Sequence, residues 1–269
     1  KKMKKIVLGF IALGLLTLNS CDKDDDSDME TNDNQEANTE TTVNTDVNTE
    51  TSDNTETEPT DDASSIQYGE GLTDGDGNTY KTVIIGEQEW MAENLRTTKY
   101  SDGGSIPNIT DSVQWVELET GAWCNYNNDN QYDSTYGKLY NWYAVETEKL
   151  CPTGWHIPTD AEWTLLTDFL TANGHSEKEG LALKASSGWN DWFGYNGSGT
   201  DDYGWNGDAG GFRSSFGDFV NIGNYGIWLS SSNSGSSLVW NRNLHYTNEV
   251  VGRGYAVEED GVSVRCLKD

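Results

Sequence analysis

Three histidines, His156, His175 and His245, are the side chains in this sequence that could act as a general acid or base near neutral pH. A catalytic histidine works beside a Ser or Cys nucleophile or within a metal-binding motif. The sequence contains no G-x-S-x-G, H-E-x-x-H or phosphate-loop pattern. His156 stands among packing residues in 154–158, a setting more typical of a structural histidine. We therefore predict that the chain is not an enzyme.

Four cysteines offer lipid and redox chemistry. Cys21 ends the segment Leu18–Cys21, which resembles the lipobox of bacterial lipoproteins, so its thiol is expected to carry diacylglycerol. The remaining Cys124, Cys151 and Cys266 allow one disulfide and one leftover thiol in an oxidising compartment. A bridge between Cys151 and Cys266 would close a loop of about 115 residues and stabilise the fold by about 4 to 5 kcal/mol.

Oxygen-rich loops raise calcium binding as a third kind of chemistry. The Asp-x-Asp-x-Asn spacing at 74–78 hints at a calcium loop, but Ile85 stands at the twelfth position, where an EF-hand requires a bidentate Glu. We therefore interpret this segment as a tight turn. Two further acidic loops, 127–133 and 201–208, leave a structural calcium ion as an alternative to solvated carboxylates. No other cofactor is expected, and the Glu-Pro-Asn signature of calcium-dependent sugar binding is absent.

The net charge and the distribution of aromatic residues limit the partners and the domain count. The formal net charge is −28, and contacts to phosphates depend on Lys and Arg, so anionic lipid surfaces are disfavoured and nucleic acid is excluded as a partner. All eleven Trp lie between Trp90 and Trp240, whereas Asp22–Asp62 has no aromatic residue. This split predicts one folded domain of roughly 200 residues behind an acidic linker.

The N-terminal part of the sequence has the pattern of an export and tethering segment. Lysines precede an apolar run, Ile6–Leu18, of about 13 residues, which is too short to span a bilayer. We predict a lipoprotein signal peptide at 1–20 and a lipid anchor on Cys21 as the only membrane contact. The acidic residues that follow resemble the signal that directs lipoproteins of Bacteroides-type bacteria to the outer face of the outer membrane. Repeated Asn-Thr-Glu units predict an extended, unfolded tether over 21–66 and a folded domain over 67–269.

Local patterns predict the elements of the folded domain. A turn and a β-branched run predict a hairpin at 72–85. The pattern Thr159–Glu162 is a capping box that begins a helix, and Ser176–Glu179 predicts a second helix start. After Trp189 the sequence is rich in Gly and aromatic residues without periodicity, which indicates long ordered loops. Near the C-terminus, strands are expected at 226–230, 238–244, 250–257 and 262–267. In the last of these strands the Cys266 thiol is expected to point inward.

Four long motifs carry a family resemblance. They are, in chain order, Trp90–Leu95, Gly137–Val145, Cys151–Trp163 and Ser263–Cys266. Together they resemble the Fibrobacter succinogenes major paralogous domain, from about Thr73 to Asp269. The resemblance implies an α+β, C-type-lectin-like fold with two helices, a small mixed or antiparallel sheet and long Gly- and Trp-rich loops. It also implies a disulfide between Cys151 and Cys266, and it leaves the state of Cys124 open.

The resemblance further implies where a binding site lies. Some relatives of this fold are variable proteins of diversity-generating retroelements, in which residues near the C-terminus form a diversified binding face. Aromatic, Arg, Ser and Asn side chains are typical of such paratope-like surfaces. The residues that match that face are Trp228, Ser231, Asn233, Ser236, Trp240, Arg242, His245, Tyr246, Arg253 and Tyr255.

We therefore predict a surface-displayed, monomeric module that recognises a protein or glycan ligand through this C-terminal face, with its Trp and Arg side chains exposed to water. Replacing Arg242 and Tyr246 by Ala is expected to abolish ligand capture while thermal stability is preserved. One alternative is a structural lipoprotein whose Trp and Tyr residues only fill the interior. The other is an enzyme related to formylglycine-generating oxidases, which share the lectin-like fold but use paired reactive cysteines.

Overall fold

The computed structural model describes residues 65–269. The predicted signal peptide, the lipid anchor and the predicted tether up to residue 64 lie outside the described residues. None of the helices in the described part is long and apolar enough to cross a bilayer. The helices and strands, in chain order, are β1 (Leu72–Thr73), β2 (Thr79–Tyr80), β3 (Thr82–Ile85), β4 (Gln88–Met91), α1 (Ser112–Val116), β5 (Trp123–Cys124), α2 (Asp133–Tyr136), β6 (Leu139–Tyr140), α3 (Trp142–Val145), β7 (Trp155–His156), α4 (Asp160–Leu170), α5 (Glu179–Leu183), β8 (Phe212–Arg213), β9 (Phe219–Val220), β10 (Tyr225–Gly235), β11 (Leu238–His245), β12 (Gly252–Val257) and β13 (Leu267–Lys268).

Helix α4 begins at the predicted capping box. The Thr159 hydroxyl accepts from the Glu162 backbone N–H at 3.2 Å, and the Glu162 carboxylate accepts from the Thr159 backbone N–H at 2.8 Å. Both contacts satisfy donors that the first helical turn leaves unpaired. Trp163, Leu166 and Leu170 then recur on one buried face. The sequence prediction for this helix is confirmed.

The predicted start of the second helix at Ser176 is wrong. Helix α5 begins at Glu179, with Lys178 at the capping position and no side-chain cap. The chain leaves α4 through a π-helical turn, Thr171–His175, and Glu177 takes a φ of 63°, which no right-handed helix can include. The Glu179 carboxylate instead accepts from the backbone N–H of Glu177 at 3.2 Å.

Two antiparallel sheets organise the domain, which makes it α+β. The first has the strand order β3-β4-β13-β7, and the second has the order β10-β11-β12. The hairpin expected at 72–85 is present as the pair of β1 and β2, and β3 pairs with β4 in a further hairpin that was not predicted. The strands expected at 226–230, 238–244 and 250–257 are present as β10, β11 and β12.

The last stretch of chain departs from the predicted strand at 262–267. Only Leu267–Lys268 joins a sheet ladder, as β13 between β4 and β7. The alternation expected there is absent, because Ser263 and Arg265 are as deeply buried as Val264 and Cys266. The segment is covered on both sides, so the Cys266 side chain is inside as expected.

The disulfide between Cys151 and Cys266 is present, with Cα atoms 5.9 Å apart and a sequence separation of 115 residues. It ties the segment before α4 to the last buried stretch of chain. Cys124 is free and fully buried, and burial raises the pKa of its thiol to about 12. This thiol is therefore neither paired nor ionised at neutral pH.

Tryptophan side chains fill much of the interior around one guanidinium. Arg265 is fully buried, its guanidinium carbon lies 3.9 Å from the Trp205 ring centroid, and its donors end on Asn94 and on backbone carbonyls. Burial lowers the pKa of Arg265 to about 10, so it stays charged at neutral pH. The expectation that most Trp residues belong to the core is confirmed for Trp90, Trp115, Trp142, Trp163, Trp189, Trp205 and Trp228.

Candidate functional site

The strand register places the predicted binding residues on the sheet β10-β11-β12. Trp228 lies opposite Arg242, and Arg242 lies opposite Arg253. One step along the same face, Trp240 lies opposite Tyr255. Directly opposed residues and residues two apart on one strand share a face, so these five side chains leave the sheet on the same side.

Helix α4 covers one end of this face, and two of the predicted residues are buried beneath it. Trp228 is 1 % exposed, and its indole N–H donates to the Asn94 side-chain oxygen at 2.8 Å. Arg242 is 3 % exposed and donates to the Asp160 carboxylate at 2.6 Å and to the Thr164 hydroxyl at 3.0 Å. The expectation that Trp228 and Arg242 point outward to water is wrong. Arg242 holds the sheet against the first turn of α4, and Trp228 packs on Trp205 in the core.

The open end of the face carries an aromatic and guanidinium cluster, here called the edge patch, which consists of Trp240, Arg253 and Tyr255. The Arg253 guanidinium carbon lies 3.4 Å from the Trp240 ring centroid, and its Nε and Nη2 donate to the two Asp160 carboxylate oxygens at 3.0 and 2.9 Å. Tyr255 is 64 % exposed. Arg253 is therefore exposed yet fixed in position between the half-buried Trp240 ring and Asp160, and Tyr255 is exposed beside it.

One carboxylate organises both arginines. Asp160, the first residue of α4, is shared by Arg242 from inside and by Arg253 from outside. The hydrogen bond from Arg253 is the main cause that lowers the pKa of Asp160, and the same bond raises the pKa of Arg253. The sequence pattern indicates Asp160 only as part of a helix start, and nothing local to it signals this role.

Ser231, Asn233 and Ser236 are exposed around the β10–β11 turn, away from the edge patch. The register shifts between Leu229 and Asn233, which marks an irregularity in β10. Ser231 and Asn233 line a cleft of about 640 Å³ beside the disulfide. Ser231 and Asn233 therefore belong to a second location, the cleft, whereas Ser236 lies in the turn and does not line it.

The cleft also contains His156, whose two ring nitrogens face carboxylates. Nδ1 lies 2.7 Å from the Asp269 side chain and Nε2 lies 3.0 Å from the Glu162 side chain. Both nitrogens are thus engaged by carboxylates, and one of these, Glu162, also serves the α4 cap. The predicted structural role of His156 agrees with these contacts.

His245 and Tyr246 occupy a third location. The His245 ring packs between Tyr225, at 4.2 Å, and Tyr246, at 4.8 Å between centroids. Its Nδ1 lies 2.6 Å from the Thr247 hydroxyl, and burial lowers the pKa of His245. Tyr246 is half-buried and lines a groove beside the loop 190–196, which the sequence analysis described only as Gly- and aromatic-rich.

Carboxylates in the oxygen-rich loops accept hydrogen bonds from within the domain. The Asp74 carboxylate accepts from the backbone N–H groups of Asp76 and Asn78 at 2.9 Å each, which confirms the predicted tight turn. The Asp201 carboxylate accepts from the Asn206 backbone at 2.7 Å. Among residues 65–269, no group of three or more His, Cys, Asp or Glu side chains is arranged to hold a metal ion.

The described residues form a disulfide-linked α+β domain whose Trp-rich core supports an exposed edge patch on a three-stranded sheet. The sequence matches the Fibrobacter succinogenes major domain over residues 83–268. The chain belongs to this family, as its four motifs indicated. A comparison with curated proteins found no match, and a comparison with solved structures found none.

Proposed function

We infer that the chain is a surface-displayed binding module, without catalytic activity, that recognises a protein or glycan ligand through the edge patch. The observation that carries this proposal is the fixed geometry of Trp240 and Arg253, with Tyr255 exposed beside them. Trp, Tyr and Arg are the residues that dominate binding energy at interfaces. Side chains that are already ordered lose little entropy on binding, so the fixed guanidinium favours affinity.

An open sheet face suits a macromolecular partner. The strand β12 lies at the edge of its sheet, so a ligand can approach both the exposed side chains and the strand backbone. Ser231, Asn233 and Ser236 would widen the contact only for a ligand that also reaches the β10–β11 turn.

The experiment is capture of ligands from combined protein and glycan arrays by the full chain. Arg253→Ala and Tyr255→Ala are expected to abolish a signal that the unmodified chain gives. Tyr68→Ala is the matched control, because Tyr68 is 61 % exposed and lies near the other end of the domain sequence. Equal capture by all variants would remove the edge patch from consideration.

A C-type-lectin-like fold is the architecture proposed with this function. It is supported by helices α4 and α5, by the antiparallel sheet β10-β11-β12 and by the bridge between Cys151 and Cys266. Diversification of the face is part of the same proposal. Sequences from different isolates should then differ mainly at exposed positions within 231–255, and an even spread of differences would contradict it.

Lipid anchoring on Cys21 and display on the outer face of the outer membrane complete the proposal. They are supported by the lipobox-like segment and the acidic residues after it. Cells that express the chain should incorporate labelled fatty acid into it, and Cys21→Ala should abolish the label. Digestion of the domain by a protease added to intact cells would support outward display, and full protection would contradict it.

A further inference from the structure

A tight turn at 192–195 exposes a cluster of aromatic side chains on a different part of the domain. Trp192 is 42 % exposed, Phe193 is 88 % exposed and Tyr195 is 72 % exposed. Trp192 and Tyr195 exchange two backbone hydrogen bonds of 2.9 Å, so they are directly opposed and their side chains leave the turn on the same side. Large exposed aromatic clusters of this kind mark interaction sites.

Two residues of this turn have positive φ angles, and one of them is not a glycine. Phe193 has a φ of 48° and Gly194 a φ of 85°, a conformation that two-residue turns usually build from Asn-Gly. A bulky residue at positive φ is unfavourable, and such strain is concentrated at binding sites. The Phe193 ring packs edge-to-face on Trp192 at 5.1 Å between centroids and so holds that indole in place.

The turn forms one wall of a groove of about 370 Å³, and the loop 245–249 forms the other. Both walls are hydrogen-bonded to adjacent residues, Gly223 and Asn224. The Asn190 backbone N–H donates to the Gly223 carbonyl at 2.8 Å, and the Tyr246 backbone N–H donates to the Asn224 carbonyl at 3.0 Å. The groove has the size of a small-ligand site and does not depend on closure to form.

A buried ammonium joins the same two walls. Lys184 is 2 % exposed, and its Nζ donates to the carbonyls of Gly197 at 2.9 Å, Asn248 at 3.0 Å and His245 at 3.4 Å. Its three donors are therefore used within the protein. The positive charge at the base of the groove has no free donor for an anionic ligand.

We propose that this aromatic groove binds a neutral carbohydrate, with Trp192 and Tyr195 stacking on the sugar rings. The groove is lined in part by Trp192, Tyr195, Asn196, Tyr246, Asn248 and Glu249. The C–H groups of a pyranose carry partial positive charge and pack on the negative face of an aromatic ring. Amide and carboxylate side chains then exchange hydrogen bonds with its hydroxyl groups.

The lining favours a carbohydrate over an apolar peptide. Leu181 is the one aliphatic side chain that lines the groove, whereas amides, hydroxyls and aromatic rings supply most of the remainder. The Asn196 oxygen already accepts from the Ser198 backbone N–H, but an apolar helix or strand would bury the N–H groups of the Asn196 and Asn248 amides without partners, which is unfavourable. A sugar satisfies them while it covers the rings.

The experiment is affinity gel electrophoresis of the full chain in gels that contain glucan, mannan, xylan or galactan, with polygalacturonate as the acidic counterpart. At least one neutral polysaccharide should retard the chain, and polygalacturonate should not. Trp192→Ala and Tyr195→Ala should each weaken this binding by about 10-fold or more, because exposed aromatic anchors carry most of such binding energy. Phe216→Ala is the matched control, since Phe216 is 81 % exposed outside the groove and its loss should change nothing. Unchanged melting temperatures will show that the variants are folded.

Three results would overturn the proposal. The first is no retardation by any neutral polysaccharide, and the second is equal retardation of the groove variants and the unmodified chain. The third is capture of an apolar peptide from a peptide array that Trp192→Ala abolishes, without carbohydrate binding. The groove shares no residue with the edge patch, so Tyr255→Ala should leave polysaccharide binding intact. Failure of one proposal therefore does not imply failure of the other.

Discussion

Two arginines that bind the same carboxylate should respond very differently to removal. The Arg242 side chain is 4 % exposed in its ion pair with Asp160, whereas the Arg253 side chain is 48 % exposed. Removing one partner of a buried pair costs about 3 to 5 kcal/mol, while an exposed pair contributes about 0.2 to 1 kcal/mol. The sequence alone treated both arginines as equivalent members of one binding surface.

The magnitude for Arg242→Ala follows from its contacts. The variant removes donors to the Asp160 carboxylate and carbonyl and to the Thr164 hydroxyl. Asp160 keeps its bidentate contact with Arg253, so we expect a loss near the lower end of the range, about 3 kcal/mol. Arg253→Ala loses only an exposed, solvent-screened ion pair and its stacking on Trp240, so we expect a much smaller loss than for Arg242→Ala.

Urea unfolding followed by Trp fluorescence measures both values. With a slope of about 2 to 3 kcal/mol/M, Arg242→Ala should lower the midpoint by about 1 M or more, and Arg253→Ala by less than about 0.5 M. Ligand capture should show the opposite order, because only Arg253 is exposed. A larger loss of stability for Arg253→Ala than for Arg242→Ala would refute the assignment of one arginine to the scaffold and the other to the surface.

Three further predictions concern the interior. Reducing the bridge between Cys151 and Cys266 should cost about 4 to 5 kcal/mol, which lowers the melting temperature by roughly 10 to 15 °C in a scan with reductant; an unchanged melting temperature would contradict this. Burial raises the pKa of Asp208 to about 6, so the folded state must ionise a group that the unfolded chain ionises near 4. The contribution of Asp208 to stability should therefore fall by about 3 kcal/mol as the pH rises from about 4 to above 6. Asp208→Asn should flatten that part of the stability curve, and an identical curve for the variant would be evidence against the cause. Cys124 should resist a thiol reagent at pH 8 in the folded protein and react once urea unfolds it, whereas rapid native labelling would contradict its burial.

Local sequence signals predicted an element correctly where contacts within one helical turn determine it. The capping box at Thr159–Glu162 fixes the start of α4, since both of its hydrogen bonds join residues three apart. The prediction of the second helix start was wrong because Glu177 has a positive φ, so the helix begins only at Glu179. The residue types around Glu177 do not indicate that angle. Turn geometry at a non-glycine residue depends on the packing around it.

The binding face could be predicted only in part. The alternation of side chains along a strand predicts which residues share a face, but it does not predict which part of that face another element covers. Trp228, Arg242 and Trp240 share one side of the sheet, as their spacing indicated. Which end of that side α4 covers depends on a contact between residues about 80 positions apart in the chain. The exposed turn at 192–195 was overlooked because neither helical nor strand periodicity exists there. Its signal was the run of three aromatic residues around Gly194.

The role of each arginine depends on what its donors meet. Arg265 and Arg213 stack on Trp rings and donate to backbone carbonyls, so the rest of the chain closes over them. Arg253 also stacks on a Trp ring, but it donates to a carboxylate at the sheet edge, and its Nη1 has no hydrogen-bond partner among the described residues. A stacked pair of Arg and Trp thus belongs to the core where backbone carbonyls surround the guanidinium. At the edge of β12 it leaves a fixed cation whose Nη1 carries two N–H groups without a partner among the described residues, which is the feature that the proposed ligand would use.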